Sequence, residues 1–355
     1  MYEEAMDKKI TLQEIAQKLG ITVSTVHKAL YGKKGVSETR RKEILAVAEQ
    51  MGYKTEILQS VKPCRIAVVL PNPVGIDTYF YQFVWKGMLK RAEELKSTSC
   101  ELLSYPFNGT MENQQEILDV VLQQGQGRLD GLITIVWDES RFKQVLERFT
   151  AQGIKIFTVS SDAPSSRRVS SVGANPNKLG RLAAEYLGSV IHQPGRVIII
   201  GTRRDAANHA QVVRGFFDQM SIQQPEIQII ELYESIGNPE KISHTLEDFL
   251  DKFDDVRGIY INNARTTAAV CEAMHALSMT KGLRIVGSEL FSESIASVRA
   301  GFLHALIDQN PFSQGYKIFS IAHEHIAQNK NVLTKYEVPI NLFLASNLPG
   351  IDDLA

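Results

Sequence analysis

From residue 64 onward the chain alternates short apolar runs with longer amphipathic ones, and this rhythm limits the fold more than any other feature. The apolar runs are Arg65–Leu70, Cys100–Tyr105, Gly131–Val136, Ile154–Val159, Arg196–Gly201, Ile227–Tyr233, Gly258–Asn262, Leu283–Gly287 and Phe302–Ile307. Between them lie spans with helical spacing, such as Phe80–Leu95, Gln114–Gln124, Asn177–Ile191 and Thr266–Leu277. Strands that are apolar throughout are buried on both faces, and parallel neighbours need a crossover helix. The pattern therefore predicts an α/β architecture of parallel sheets flanked by helices. Such sheets bind ligands beyond the carboxyl ends of their strands.

Those ends are polar and aromatic. Tyr79, Phe80, Tyr81 and Gln82 follow the first run, Trp137 and Asp138 the third, and Ser160, Ser161 and Asp162 the fourth. Asn262 and Asn263 follow the seventh, Ser288 and Glu289 the eighth, and Asp308 and Gln309 the ninth. Aromatic faces stack on the C–H surface of a sugar, while carboxylates and amides bond its hydroxyls. Asp162 is expected to grip two adjacent hydroxyls, each charge-assisted bond being worth roughly 1.5–3 kcal/mol. The competing role for Asp162 and Ser288 is to cap a helix.

The first fifty residues have a different period. Thr11-Leu12-Gln13-Glu14 has the form of a capping box, and Leu12, Ile15, Ala16 and Leu19 then make one apolar stripe. Gly20 closes that helix and Thr22 opens a second, with Val26, Ala29 and Leu30 inward and Ser24, His27, Lys28 and Tyr31 outward. Ser37 opens a third, whose expected core stripe is Ile44, Leu45, Ala48 and Met51. Three short helices with a tight glycine turn make a helix-turn-helix pattern. Ser24 and Lys28 can reach base edges, and His27 or Tyr31 can reach bases or phosphates. Lys33, Lys34 and the run Arg40-Arg41-Lys42 suit phosphates. From Lys8 to Lys54 ten Lys or Arg stand against four acids, about +6, in a 355-residue chain whose net charge is -1. The bland alternative is a three-helix bundle with a solvated charged face.

The stretch from Ile10 to Tyr53 resembles the DNA-binding head of the LacI (lactose-repressor) family. The resemblance includes Val23-Ser24-Thr25-Val26, the Leu30-x-Gly32 after it, Val36-Ser37, and the closing Gly52-Tyr53. It implies Val23, Ser24 and Lys28 as base readers, Thr25 and His27 close to the DNA backbone, and Thr11 within the contact set. His27-Lys28 stands where the family usually has Ser-Arg, and Tyr31 where it has Asn. Lys lacks the bidentate fork of Arg, so a different operator is expected. In the family a hinge helix follows and inserts a leucine into the minor groove. Here Leu58-Gln59-Ser60-Val61 occupies that place, with Val61 near the leucine position and Leu58 a second candidate. The other reading is a tether that orders on DNA.

The remainder resembles the periplasmic sugar-binding-protein fold that this family carries, through Ser160-Ser161-Asp162-Ala163-Pro164, Ile259-Tyr260-Ile261-Asn262-Asn263 and Leu306-Ile307-Asp308-Gln309-Asn310. The resemblance implies Phe80, Tyr81, Asp162, Asn262, Glu289 and Gln309 as sugar ligands, with Glu289 where Asp is usual. An Arg that often grips a ring hydroxyl is replaced by Val212, with His209 and Arg214 nearby, which leaves inositol-like or modified sugars open. The expected organisation is a head over 1–53, a linker over 54–63, a sensor over 64–346 and a tail over 347–355. One lobe is expected over 64–162 and 310–333, the other over 163–309 and 334–346, with Gln309 at the crossover.

Enzymatic motifs are missing from the sequence: there is no GxxxxGK[ST] and no Gly-x-Ser-x-Gly. His323-Glu324-His325 places its histidines at i, i+2, on different helix faces, so no metal and no cofactor are expected. Cys64, Cys100 and Cys271 have no metal or redox spacing and read as reduced, mostly buried thiols. With no export signal and no membrane-length apolar run, the expected location is the cytoplasm. The expected function is a ligand-responsive regulator, foremost a repressor of carbohydrate-use genes, that binds double-stranded, pseudo-palindromic operator DNA. A head of +6 meets few phosphates, so a homodimer is expected, with a tetramer as an option. The rival readings are a solute-binding protein for a sugar transporter and a sugar-processing enzyme on the same fold.

Overall fold

The computed structural model describes residues 10–31, 33, 35–51, 53, 64–75, 78–96, 100–201, 207–233, 239–277 and 282–350. Lys34, Leu58 and Val61, and with them the linker, lie outside the described residues. The chain divides into two units between Pro63 and Cys64.

In the first unit α1 (Leu12–Leu19), α2 (Val23–Leu30) and α3 (Glu38–Gln50) start where capping chemistry directs. The Thr11 hydroxyl accepts from Glu14 N, and the Glu14 carboxylate accepts from Thr11 N at 2.7 Å, a reciprocal capping box. Gly20 ends α1 in the left-handed region at φ 63°, where a side chain would be strained. Thr22 Oγ1 accepts from Thr25 N at 3.2 Å and Ser37 Oγ from Arg40 N at 3.3 Å. Ile15, Ala16, Val26, Ala29, Leu30, Ile44 and Ala48 form a separate small core. Leu45 does not join it; the side chain is 36% exposed. One residue of helix is a 100° step, so a core reached by Ile44 and Ala48 leaves Leu45 on the flank.

The second unit has two mostly parallel sheets. In chain order its elements are β1 (Cys64–Pro71), α4 (Thr78–Glu94), β2 (Cys100–Phe107), α5 (Met111–Gln124), β3 (Gly131–Thr134), α6 (Glu139–Ala151), β4 (Lys155–Val159) and β5 (Ser170–Gly173). There follow α7 (Pro176–Val190), β6 (Gly195–Gly201), α8 (Ala207–Gln223), β7 (Ile227–Tyr233), α9 (Pro239–Lys252), β8 (Val256–Ile261), α10 (Ala264–Leu277), β9 (Arg284–Ser288), α11 (Ser292–Arg299), β10 (Ala305–Asp308), α12 (Pro311–Ala327), β11 (Lys335–Glu337) and β12 (Asn341–Phe343). The first sheet has the order β11-β5-β4-β3-β1-β2 and the second β12-β10-β9-β8-β6-β7. Both are doubly wound in the same sense, so each has a switch point where crossovers leave to opposite faces. Within the second sheet β12 runs antiparallel to β10.

These pairings correct the lobe boundaries. Ser170–Gly173 pairs with β4 in the first sheet, so the chain crosses after Gly173 and not at Asp162. Lys335–Glu337 also pairs there, against β5, and the chain crosses again before Asn341. Neither short strand carries the apolar signature. Ser170 and Ser171 are buried, and the Ser170 hydroxyl donates to the Leu333 carbonyl at 2.8 Å. The remaining crossover lies between Asp308 and Pro311, with Asn310 at φ 56°.

Each lobe is braced by one glycine-mediated helix pair. A Cβ on Gly87 of α4 would stand 2.1 Å from the Phe312 carbonyl oxygen of α12, and one on Gly315 would stand 1.9 Å from that of Val84. In the other lobe Gly180 of α7 meets Val212 O, and Gly215 of α8 meets Asn177 O. The backbones touch because no side chain intervenes. Among the described residues no helix is long and apolar enough to cross a membrane.

Candidate functional site

Two surfaces bear the expected site residues. On the first unit Val23 is 42% exposed, and Ser24, Lys28 and Lys33 are also exposed. Ser24 and Lys28 stand four residues apart on one outward face of α2, while Val26, Ala29 and Leu30 anchor the other. Thr25 is half-buried and its hydroxyl is 2.8 Å from that of Thr22. His27 stacks on Tyr31, ring centres 4.4 Å apart, and Tyr31 in turn packs on the small core. Thr11 is spent on its capping box. Arg40 pairs with Glu43 at 2.6 Å, which offsets one charge of the basic run, and Arg41 donates to the Lys33 carbonyl at 2.9 Å.

On the second unit a cleft of about 590 Å³ opens between the two sheets. It gathers Tyr79, Phe80, Tyr81, Trp137, His209, Asn262, Glu289 and Gln309, eight of the nine residues expected as ligand contacts. Topology explains the convergence, since each follows a strand's carboxyl end and the two sheets face each other at those ends. Phe80 and Tyr81 meet edge to face at 5.1 Å. Phe107 meets Trp137 in the same way at 5.6 Å and fixes that indole. Across the cleft Tyr79 packs on Phe291, ring centres 4.6 Å apart, and Asn208 Nδ2 donates to the Ser160 carbonyl at 3.2 Å, so both contacts join one lobe to the other.

The polar floor is organised by hydrogen bonds. Tyr260 donates its hydroxyl to Asn262 Oδ1 at 3.3 Å, which leaves Asn262 Nδ2 as donor towards His209 Nδ1 at 3.2 Å. His209 Nδ1 therefore accepts, so its proton is assigned to Nε2. Burial holds the His209 ring below the ordinary histidine range, so it is neutral near pH 7. Glu289 is fully buried and accepts from Gln309 N at 3.2 Å and from Gln309 Nε2 at 2.7 Å. Burial, and next the neighbouring Asp308, push its carboxyl well above the usual range. Ser160 and Glu289 end equivalent strands of the two lobes, and both have left-handed backbones, φ 63° and 70°. Strain of this kind on residues other than glycine is a mark of ligand sites.

Asp162 is the exception. Its carboxylate is bound on both oxygens by Arg168, accepts from Thr158 Oγ1 at 2.9 Å and from Ala163 N at 2.7 Å, and does not line the cleft. Burial alone would raise its carboxyl, but Arg168 outweighs that and holds it below the usual range. Ser160 and Ser161 line the cleft in its place. The cleft also contains Thr110, Glu112, Arg141, Asn208 and Arg265, which strand-end reasoning missed. They lie in or just before the first turns of α5, α6, α8 and α10, a few residues past the strand tips. The signal that could have found them is the βα loop length, which decides how far the next helix's first turn overhangs the cleft. Arg141 pairs with Glu112 at 3.0 Å across two such turns. Among the described residues no cluster of metal-ligating groups occurs.

Residues 11–56 match the family of bacterial regulatory proteins, lacI family, and residues 66–331 match the periplasmic binding protein domain. Over 211 residues the chain is 21% identical to catabolite control protein A of Priestia megaterium, covering 58% of this chain and 60% of that one. Over 161 residues it is 24% identical to the HTH-type transcriptional regulator DegA of Bacillus subtilis, 44% of this chain and 45% of the other. Over 86 residues it is 30% identical to catabolite control protein A of Streptococcus mutans, 23% and 25% of the two chains. The aligned regions thus span a quarter to three fifths of these curated relatives. Among solved structures GanP, a glucose-galactose binding protein of Geobacillus stearothermophilus, superposes with TM-score 0.72 at 26% identity, over 81% of this chain and all of that one. A solute-binding protein of Burkholderia graminis in complex with D-arabinose gives TM-score 0.72 at 18% identity, over 81% and 97%.

Proposed function

We propose that this chain, which belongs to the LacI family of bacterial regulatory proteins and carries a periplasmic-binding-protein domain, is a cytoplasmic regulator that senses a sugar or polyol and binds operator DNA accordingly. The observation that carries the reading is the joint presence of two surfaces. One is an outward α2 face with Ser24 and Lys28. The other is a cleft whose aromatic walls and amide-rich floor suit a hydroxylated ring.

Phe80, Tyr81 and Trp137 would stack on the ring, while Asn262, His209, Glu289 and Gln309 would bond its hydroxyls. A protonated Glu289 would donate, and a neutral His209 would donate through Nε2. Because Asp162 is held by Arg168, it acts behind Ser160 and Ser161 and does not bind the ligand. On the head, Val23, Ser24 and Lys28 read bases, Thr25, His27 and Tyr31 lie against the backbone or adjoining bases, and Lys33 and Lys34 meet phosphates.

Two heads on a pseudo-palindromic operator raise the effective concentration of the second head, so the functional form is a homodimer. Ligand that favours one lobe arrangement shifts head spacing, with a coupling of typically 1–3 kcal/mol. Repression is the preferred sense. The same cleft without a DNA role would make a transporter's binding protein, and the head argues against that.

The test is fluorescence anisotropy of purified protein on the DNA upstream of its gene, at several salt concentrations and with a panel of sugars and polyols. Binding that weakens with salt, and that one member of the panel changes by about 5–150-fold, is expected. A flat salt response with Lys28→Ala equal to wild type would remove the DNA role. Turnover of any panel member would favour an enzyme instead.

A further inference from the structure

Cys64 and Cys100 are remote in sequence, yet they are direct partners across β1 and β2. Both side chains are buried, and their sulfurs lie 3.5 Å apart. Neighbouring strands run about 4.7–4.9 Å apart, inside the Cα separation that a disulfide spans. The pair has no freedom to slip. At the next register position Arg65 Nε donates to Glu101 at 2.7 Å, and Arg65 N donates to Asp130 at 3.0 Å.

Position distinguishes these thiols from an inert core pair. β2 is the outer strand of its sheet, so Cys100 borders the sheet edge, and Cys64 is the first residue of the sensor unit. Burial pushes both thiols up. Cys100, on the outer strand, is 8% exposed against 1% for Cys64, so a small oxidant reaches Cys100 first and Cys64 is the resolving partner. Cys271 lies in the other lobe, where burial pushes its thiol up to about 11, which makes it an internal control.

We propose that Cys64 and Cys100 are a dithiol modification site that a hydroperoxide oxidises to an intramolecular disulfide. The Cys100 thiolate attacks the terminal peroxide oxygen and the O–O bond breaks. The departing alkoxide takes a proton, and Cys100 becomes a sulfenic acid. The Cys64 sulfur then attacks the Cys100 sulfur, the S–O bond breaks, and the leaving hydroxide takes the Cys64 proton as water. Two thiols and one hydroperoxide give one disulfide, one alcohol and one water, the thiols losing the two electrons that the O–O bond gains. The bond fastens the residue at which the linker meets the sensor to the edge strand beside it.

The experiment treats reduced, full-length protein with tert-butyl hydroperoxide and reads intact mass, peptide map and thermal unfolding. The expected result is a mass lower by about 2 Da, a Cys64–Cys100 linked peptide within one chain, and reversal by dithiothreitol. The oxidised form should melt at higher temperature than the reduced form. Cys271→Ser should behave as wild type, and Cys64→Ser should stop at a Cys100 sulfenic acid that dimedone traps. Loss confined to Cys271, a link between chains, or no loss of thiols at a dose that oxidises free glutathione would overturn the proposal.

Discussion

Asp162 and Arg168 form a two-pronged ion pair that turns the Asp162 carboxylate away from the cleft. The two side chains are 23% and 9% exposed, so the pair is largely shielded from solvent. Arg168 Nη1 also donates to the Thr334 carbonyl at 2.7 Å, which ties the pair to the segment leading into β11.

Removing one partner leaves the other charge buried. Arg168→Ala is therefore expected to cost about 3–5 kcal/mol in urea unfolding. The folded carboxyl of Asp162 lies below its unfolded value, so its contribution is present above about pH 4 and is lost as pH falls through the folded value. Asp162→Asn should flatten the acid limb of the stability profile while leaving a ligand-induced melting shift in place. Loss of that shift with unchanged stability would restore Asp162 as a ligand contact.

Glu289 gives the opposite sign. Its folded carboxyl is raised by burial and by Asp308, so the folded state holds a proton that the unfolded chain has released. Stability therefore falls as pH rises from the unfolded value, about 4.3, through the folded one. Glu289→Gln copies the protonated acid and can still accept from Gln309. It should melt with a weaker pH dependence than wild type between pH 5 and 9, and hold the advantage at the alkaline end. An equal or steeper slope in the variant would contradict this.

Gly180→Ala tests the brace. The added Cβ would stand 1.9 Å from the Val212 carbonyl oxygen, a backbone atom that cannot swing aside. The overpacking cost, about 1–3 kcal/mol, exceeds the roughly 1 kcal/mol that alanine gains in a helix. Because Val212 lines the cleft, ligand affinity should fall with stability, read by calorimetric titration and denaturant midpoint. A variant as stable as wild type would show that the helices separate freely.

The head has a core of its own, so the two units should fail separately. Ile15 is fully buried there, and Ile15→Ala should cost the head about 2–5 kcal/mol and abolish DNA binding while the sensor's ligand shift survives. Lys28→Ala should weaken the operator by about 1–3 kcal/mol and relax specificity, whereas Lys33→Ala should weaken all sequences alike and lower the salt slope by about 1. Equal effects on operator and random DNA for both lysines would deny Lys28 a base contact.

Much of the fold was legible because its signals are local. Thr11, Gly20, Thr22 and Ser37 act on backbone groups within four residues, so helix starts and stops follow from spacing alone. The nine apolar runs each became a strand for the same reason. What escaped were Ser170–Gly173, Lys335–Glu337 and Asn341–Phe343, short strands whose identity depends on the neighbour they pair with. Leu45 escaped as well, because whether the neighbour of Ile44 joins the core depends on how α3 is rotated against α1 and α2, which spacing alone does not fix.

By itself the sequence determined the alternation of elements, the helical head and the polar strand tips, since each arises from propensities and patterns a few residues long. Only the tertiary structure decided which tips share a cleft, that Asp162 answers to Arg168, and that Cys64 meets Cys100. Those pairings depend on sheet order and strand register, which are set by packing between segments far apart in the chain.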